Sequence, residues 1–294
     1  MDIKQYRVSG SAEMDRLGEL SYRFIAHLIG LLMGFESLLL CSCCCVSLIY
    51  GEKDMMSFVI SFAICLSASA LLMVIGQKKK SAISRYEGYI VVGLSWVFFT
   101  IFGMLPYLIG GYIPSVTDAF FETMSGFTTT GATILDNIES MPHGILFWRS
   151  LTQWIGGLGI VFFTIVLMPG FGASSQMLYL SEATGVTHNK LYPKTRVMAR
   201  YIFVVYILLT AIESVLLKIG GMSLYDAICH SMTTTATGGF STKQESIAYW
   251  HSSYIEYVVS GFMLLSAINF SLYIVACKGG WKQIWRYAEL KWFT

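Results

Sequence analysis

Long apolar segments alternate with short polar ones along the whole chain. An α-helix needs about 20 apolar residues to cross a bilayer, and six segments have about that length. They are Phe24–Tyr50, Ser57–Gly76, Gly88–Ile109, Phe147–Pro169, Tyr201–Ile219 and Tyr254–Cys277. The pattern predicts an all-α polytopic membrane protein with six transmembrane helices.

Composition supports a membrane protein and narrows the function. The 294 residues are 55% hydrophobic and 13% charged, with a mean hydropathy of +0.60. Soluble domains carry about 25% charged residues, so this chain has about half the usual charge. The sequence shows no nucleophile–base set and no glycine-rich phosphate loop, so we expect a protein that is not an enzyme.

One polar stretch interrupts the apolar pattern between the third and fourth segments. It runs from Asp118 to Leu135 and reads D-A-F-F-E-T-M-S-G-F-T-T-T-G-A-T-I-L. A short amphipathic piece, Asp118 to Phe127, is followed by hydroxyl residues around Gly131. Such residues suit an extended backbone whose carbonyls face a narrow passage, because carbonyl oxygens can replace the hydration shell of an ion.

The same pattern returns between the fifth and sixth segments. Asp226 to Thr242 reads D-A-I-C-H-S-M-T-T-T-A-T-G-G-F-S-T, and Asp118 aligns with Asp226 and Gly131 with Gly239 at a constant offset of 108 residues (226 − 118). Duplicated hydropathy is one way to build a transport path at a repeat interface. We therefore divide the chain into residues 1–87 with two extra helices, a first helix–pore–helix repeat at 88–170, a connector at 171–200, a second repeat at 201–277, and a basic tail at 278–294.

The two hydroxyl-rich loops are the predicted ion site. Irregular backbone at membrane depth is tolerated only where protein buries it or where it lines a water-filled cavity, which favours two re-entrant pore-helix/filter loops over simple extracellular turns. The predicted filter residues are Thr128, Thr129, Thr130, Gly131, Ala132, Ala236, Thr237, Gly238, Gly239 and Phe240. The predicted potassium ligands are the backbone carbonyls of Thr129, Thr130, Thr237 and Gly238.

Basic residues predict the orientation. Sixteen of the 20 Lys and Arg residues lie in four segments, residues 1–23, 77–87, 170–200 and 278–294, which share one side if every span crosses once. The positive-inside rule makes that side, and the N-terminus, cytoplasmic. The first pore loop then faces outward, with an acidic mouth expected from Asp118, Glu122, Asp136 and Glu139.

A few further polar residues fall inside the predicted spans. For Glu36, Gln153 and Asn269 we favour polar contacts between helices, with a functional role as the alternative for Glu36 and cavity lining as the alternative for the other two. Glu213 is expected to reach water or Lys218 at the outer end of its span. For the cysteine cluster we favour packing within a helix, with metal binding or acylation left open; its members are Cys41, Cys43, Cys44 and Cys45. The spacing of metal ligands is not found among the histidines His143, His188 and His230.

Three motifs together resemble a known family. F-F-E-T-M-S-G-F-T-T-T-G-A-T, W-R-S-L-T-Q-W-I-G-G-L-G-I (Trp148–Ile160) and S-M-T-T-T-A-T-G-G-F-S-T are similar to motifs of the Trk/Ktr/HKT potassium transporters. The two extra helices before the first repeat make the resemblance strongest to the membrane subunit of bacterial Trk-type potassium uptake systems. The resemblance implies four repeats around one pathway with one filter glycine each, of which Gly131 and Gly239 match the first two.

The resemblance also implies partners and a location. Such subunits reside in the bacterial cytoplasmic membrane, carry potassium as substrate without a covalent cofactor, form homodimers, and bind a cytosolic nucleotide-binding regulatory subunit. The chain ends in E-L-K-W-F-T, which is similar to the entrance of a third repeat, so we expect half of a Trk-type subunit. The alternatives are a sodium-permeable or sodium-coupled relative, and a non-conducting scaffold for a regulatory partner.

Overall fold

The computed structural model of the chain describes residues 21–76, 85–167 and 195–277. All regular elements within these ranges are helical. The predicted connector falls mainly outside the described residues, as do most of the basic N-terminal segment and of the 77–87 loop, the whole of the 278–294 tail, and the last residues of the fourth predicted span.

The two extra helices form a close antiparallel hairpin. Helix α1 is Tyr22–Tyr50 and helix α2 is Met55–Ile75. Helix α1 ends at Gly51, which adopts a left-handed conformation (φ 67°) and so closes the helix with backbone bonds. Ser69 Oγ donates to the Gly30 carbonyl oxygen at 2.6 Å, and a side chain on Gly30 would meet α2. Small residues therefore bring the two backbones together, as is common between helices in membranes.

Each repeat contains two longer helical segments on either side of a short helix. The first repeat consists of α3 (Arg85–Gly103), α4 (Leu105–Ile109), α5 (Val116–Phe127), a 3₁₀ turn at Ile138–Ser140, and α6 (His143–Leu167). The second consists of α7 (Thr195–Ile219), α8 (Leu224–Thr235), a 3₁₀ turn at Ser246–Trp250, α9 (Ser253–Ala267) and α10 (Phe270–Cys277). The short helices α5 and α8 begin and end 108 residues apart, so the repeat seen in the sequence is also a structural repeat.

The starts of the short helices follow from their sequences. Ser115 precedes α5 and accepts a hydrogen bond from the Asp118 amide, and Ser223 does the same for Asp226 before α8. A serine in this position satisfies one of the amides that a helix leaves free at its N-terminus. An aspartate in the first turn adds a favourable interaction with the helix dipole.

Among the described residues, four helical segments are long and apolar enough to cross a membrane on their own. They are Tyr22–Tyr50, Met55–Ile75, Glu87–Ile109 and Ala199–Ile219. The other two predicted spans differ from the uninterrupted helices we expected. Helix α6 is broken at Gly159 (φ 31°, ψ −109°), and Ile268 and Asn269 separate α9 from α10. At the offset of 108 residues the two breaks lie within two residues of each other, and the number of membrane crossings stays a prediction.

Helix α6 lies at the centre of the packing. It packs against α1, α5, α7 and α8. Its first half carries large buried side chains, including Trp148, whose indole N–H donates to the Gly103 carbonyl at 2.8 Å. Helix α6 thereby contacts both short helices and the hairpin.

Candidate cation filter

The two predicted filter loops share one unusual backbone conformation. Thr129 and Thr237 have φ values of 52° and 55°, and Gly131 and Gly239 have values of 75° and 81°. Positive φ is uncommon for a residue with a side chain and rare for a β-branched one. Its recurrence at equivalent positions shows that the loops repeat residue by residue, although a threonine in this conformation is strained.

The same hydrogen bonds turn the chain at the end of each short helix. In the first loop the amides of Thr128, Thr129 and Thr130 donate to the carbonyls of Met124, Gly126 and Ser125 at 2.8, 3.0 and 3.0 Å. In the second loop the amides of Ala236, Thr237 and Gly238 donate to the carbonyls of Met232, Thr234 and Thr233 at 3.1, 2.9 and 2.9 Å. Both loops therefore direct their amides back towards the helix.

The carbonyl oxygens of the predicted ligands are left unpaired by this arrangement. Between residues that the structure describes, no hydrogen bond uses the carbonyl oxygens of Thr129, Thr130, Thr237 or Gly238. Of these four residues Gly238 is buried, Thr129 is half-buried, and Thr130 and Thr237 are exposed. Unpaired carbonyls at repeated positions are what a site for a dehydrated cation requires.

The two loops approach each other at Gly131. A methyl group added at Gly131 would overlap the carbonyl oxygen of Gly238, one of the predicted ligands. At Gly239, the equivalent residue of the second loop, the same methyl group would meet no atom within 4 Å. The sequence treats these glycines alike, whereas the structure distinguishes a contact glycine from one that faces open space.

Arg149 connects both loops, and the sequence reasoning missed it. This side chain of α6 is 1% exposed. Its guanidinium donates from Nη2 to Thr133 Oγ1 at 3.2 Å and from Nη1 to the Ser241 carbonyl at 3.1 Å, and it lies 4.2 Å from the centre of the Phe240 ring. A charged residue inside a predicted span is the signal that could have identified it, because such residues are usually functional.

Glu122 balances the charge of Arg149, which corrects one prediction. We expected Glu122 to belong to an acidic outer mouth. It is instead buried, and its Oε1 accepts a hydrogen bond from Arg149 Nε at 2.9 Å. Thr133 Oγ1 and the Ile134 amide donate to the same carboxylate. An ion pair with these extra donors can exist in a low-dielectric environment, where a lone charge could not. Asp118, Asp136 and Glu139 are exposed, as expected.

Gln153 lies one helical turn after Arg149 and supports the second loop. Its Oε1 accepts the Phe240 amide at 3.0 Å, and the side chain is completely buried. The missing side chain of Gly238 leaves the space that the Gln153 amide fills. We favoured an interhelical contact for Gln153, and the structure shows a contact to the loop backbone instead.

The glycine pair of the W-I-G-G-L-G-I motif brings α6 against both short helices. A methyl group on Gly156 would overlap the Phe127 carbonyl, and one on Gly157 would meet the backbone of Ala236. Phe127 and Ala236 adjoin the start of the two loops. Glycine is therefore required here by close approach of backbones, which is the usual reason for small residues between membrane helices.

The α1–α2 turn holds the first residues of α6. Glu52 Oε2 accepts the His143 amide, and its Oε1 lies 2.8 Å from His143 Nδ1. The ring of Tyr50 stacks on the His143 ring with centres 3.9 Å apart. Asp54 is fully buried beside Gly144, and this burial raises the pKa of its carboxyl. The hairpin outside the repeats thus positions the helix that carries Arg149 and Gln153.

His188 lies outside the described residues, and the structure groups the other candidate metal ligands into no cluster within the ranges it describes. Among the described residues, no three His, Cys, Asp or Glu side chains come together to hold a metal ion. The cysteines of α1 point in different directions, since Cys41 and Cys45 are exposed whereas Cys43 is buried. The site described above therefore rests on backbone carbonyls and on the Arg149–Glu122 pair.

Comparison with known proteins identifies close relatives. A family model described as "TrkH: Cation transport protein" matches residues 54–291. The Trk system potassium uptake protein TrkH of Halomonas elongata is 35% identical over 87% of this chain and 54% of its own length. The Trk system potassium uptake protein TrkG of Escherichia coli is 36% identical over 92% of this chain and 56% of its own length.

A solved structure shows the same fold. The crystal structure of the potassium transporter TrkH from Vibrio parahaemolyticus matches with a TM-score of 0.73 at 34% identity, over 88% of this chain and 52% of that one. The chain spans about half the length of the relatives it matches.

Proposed function

Because this chain belongs to the TrkH family of cation transport proteins, we propose that its two loops form part of a potassium-selective filter through which potassium crosses the membrane. The observation that carries this proposal is the repeated loop geometry with its unpaired carbonyls at Thr129, Thr130, Thr237 and Gly238. The relatives named above are potassium uptake proteins, and the alternatives of a sodium transporter and a scaffold have no observation in their favour.

Helix dipoles support a cation over an anion. Helices α5 and α8 both end at the loops, so their C-terminal carbonyls, which carry partial negative charge, lie next to the proposed pathway. The buried guanidinium of Arg149 beside the loops is neutralised by Glu122. The loops therefore provide a field that attracts cations, and selection among cations depends on carbonyl geometry.

Potassium uptake in a host without its own uptake systems tests this function. The chain is expressed alone and together with the C-terminal half of the Vibrio parahaemolyticus relative, with that half alone as the control. We expect uptake that depends on this chain in at least one arm and that rubidium, but not sodium, inhibits. If the chain reaches the membrane in both arms and neither takes up potassium, the proposal is wrong.

Thiol labelling tests the proposed orientation, in which the loops open towards the outside. Single cysteines at Asn137 and Gln244, in a background without native cysteines, are expected to react with an impermeant reagent in intact cells, because both residues follow the filter loops. Cysteines at Lys79 and Lys194, which lie outside the described residues, are expected to react only after lysis. Labelling of Lys79 and Lys194 on opposite sides would contradict the predicted number of crossings.

A further inference from the structure

Both short helices end against a buried carboxyl group. Glu213 of α7 is 0% exposed, and its Oε2 accepts a hydrogen bond from Thr235 Oγ1 at 3.4 Å. Thr235 is the last residue of α8 and is followed directly by the second loop. We expected Glu213 to reach water or Lys218, and its burial against α8 corrects that prediction.

Glu36 of α1 occupies the matching position behind the first loop. It is 1% exposed, and its Oε1 borders the space beside Gly103, which is also bordered by the Phe127 ring. Phe127 is the last residue of α5 and the equivalent of Thr235 at the offset of 108 residues. The absence of a side chain at Gly103 is what admits the Glu36 carboxyl.

Duplication of the repeat does not explain this match. Glu213 belongs to the second repeat, and its equivalent in the first repeat at the same offset is Leu105, which is not acidic. Glu36 comes from the hairpin that precedes both repeats. Two unrelated parts of the chain therefore place a carboxyl at equivalent sites, which points to a common requirement.

Neither carboxyl has a basic partner in the described part of the chain. Cys65 Sγ donates a long hydrogen bond to Glu36 Oε2 at 3.9 Å, and Glu36 Oε1 and Glu213 Oε1 have no hydrogen-bond partner. A buried carboxylate without compensation is costly, and buried charges are normally paired or bind a metal ion. Arg149 already pairs with Glu122, so within the described part of the chain a cation bound by the loops is the positive charge left to compensate the two carboxylates.

We propose that Glu36 and Glu213 are fixed counter-charges of the filter, each placed behind one short helix and each compensated by the monovalent cation that the loops bind. This inference rests on the proposed function and deepens it. The affinity for the cation then depends partly on two acids that do not contact it, whereas the selectivity among cations depends on the loop carbonyls.

Neutral, isosteric variants test the proposal through cation binding. Purified chain in detergent is melted in choline chloride with increasing K⁺ or Na⁺, and an apparent affinity is taken from the rise in melting temperature. We expect Glu213→Gln and Glu36→Gln each to weaken the binding of K⁺ and of Na⁺ by a similar factor of roughly ten, because each variant removes one negative charge from the surroundings of the bound cation. The ratio of the two affinities should not change.

A second readout separates a counter-charge from a merely structural side chain. In choline alone, both glutamine variants are expected to melt no lower than the unmodified chain, because the uncompensated charge is gone. Glu256→Gln, the same change at an exposed residue of α9, is the control and should alter neither affinity nor melting. Unchanged K⁺ affinity in both glutamine variants would overturn this proposal, and so would the absence of any K⁺ effect on the unmodified chain. Failure of both uptake arms described above would instead refute the proposed filter.

Discussion

Gly131→Ser is expected to abolish the preference for potassium, whereas Gly239→Ser is expected to retain a large part of it. At Gly131 a side chain would strike the Gly238 carbonyl oxygen and force a predicted ligand out of place, in addition to the strain of φ 75°. At Gly239 the space is open, so the cost is mainly that of positive φ, about 1–2 kcal/mol. The ratio of K⁺ to Na⁺ affinity in the melting assay measures the difference.

Gly261→Ser is the matched control for both variants. Gly261 lies in α9 with no atom within 4 Å of an added methyl group, and it has no positive φ. We expect its affinity ratio to equal that of the unmodified chain. Equal losses in the two filter variants would show that the contact between the loops does not determine selectivity.

Arg149→Met is expected to destabilise the protein by about 3–5 kcal/mol, because it leaves the Glu122 carboxylate buried without its partner. It also removes hydrogen bonds to Thr133 and Ser241 that hold the two loops together. Arg149→Lys should be only slightly more stable than Arg149→Met, since a single ammonium cannot contact Glu122, Thr133 and Ser241 at the same time as the guanidinium does. Melting temperature and K⁺ affinity are measured together, and we expect both to fall.

A double variant makes the cause of this loss testable. Adding Glu122→Met to Arg149→Met should recover part of the stability, because the unpaired charge disappears. The K⁺ affinity should stay low, because the hydrogen bonds from Arg149 to the two loops are still missing. Lys243→Met breaks a partly exposed pair with Glu139 (3.7 Å) and is the control, with an expected loss of about 0–1 kcal/mol. Additive losses in the double variant would argue against a coupled pair.

Local patterns were sufficient to locate the repeated elements. The amphipathic pieces and the offset of 108 residues predicted two short helices with glycine-containing loops, and the observed helices begin two residues before Asp118 and Asp226. Such features depend on neighbouring residues or on comparison of the chain with itself, so one sequence contains them. The apolar segments likewise predicted the long helices, because span length follows from bilayer thickness.

Partnerships between distant residues were decided only by the tertiary structure. Nothing in the repeat indicates that Arg149 reaches Ser241, or that Glu36 lies behind the first loop as Glu213 lies behind the second. Gly131 and Gly239 are equivalent in the sequence and become different because the two loops meet at only one of them. Propensity and periodicity act within a segment, whereas the pairing of charges and the contact of backbones depend on how segments pack. For that reason only the packing gives Gly131 and Gly239 different surroundings, and only the packing gives Glu36 and Glu213 similar ones.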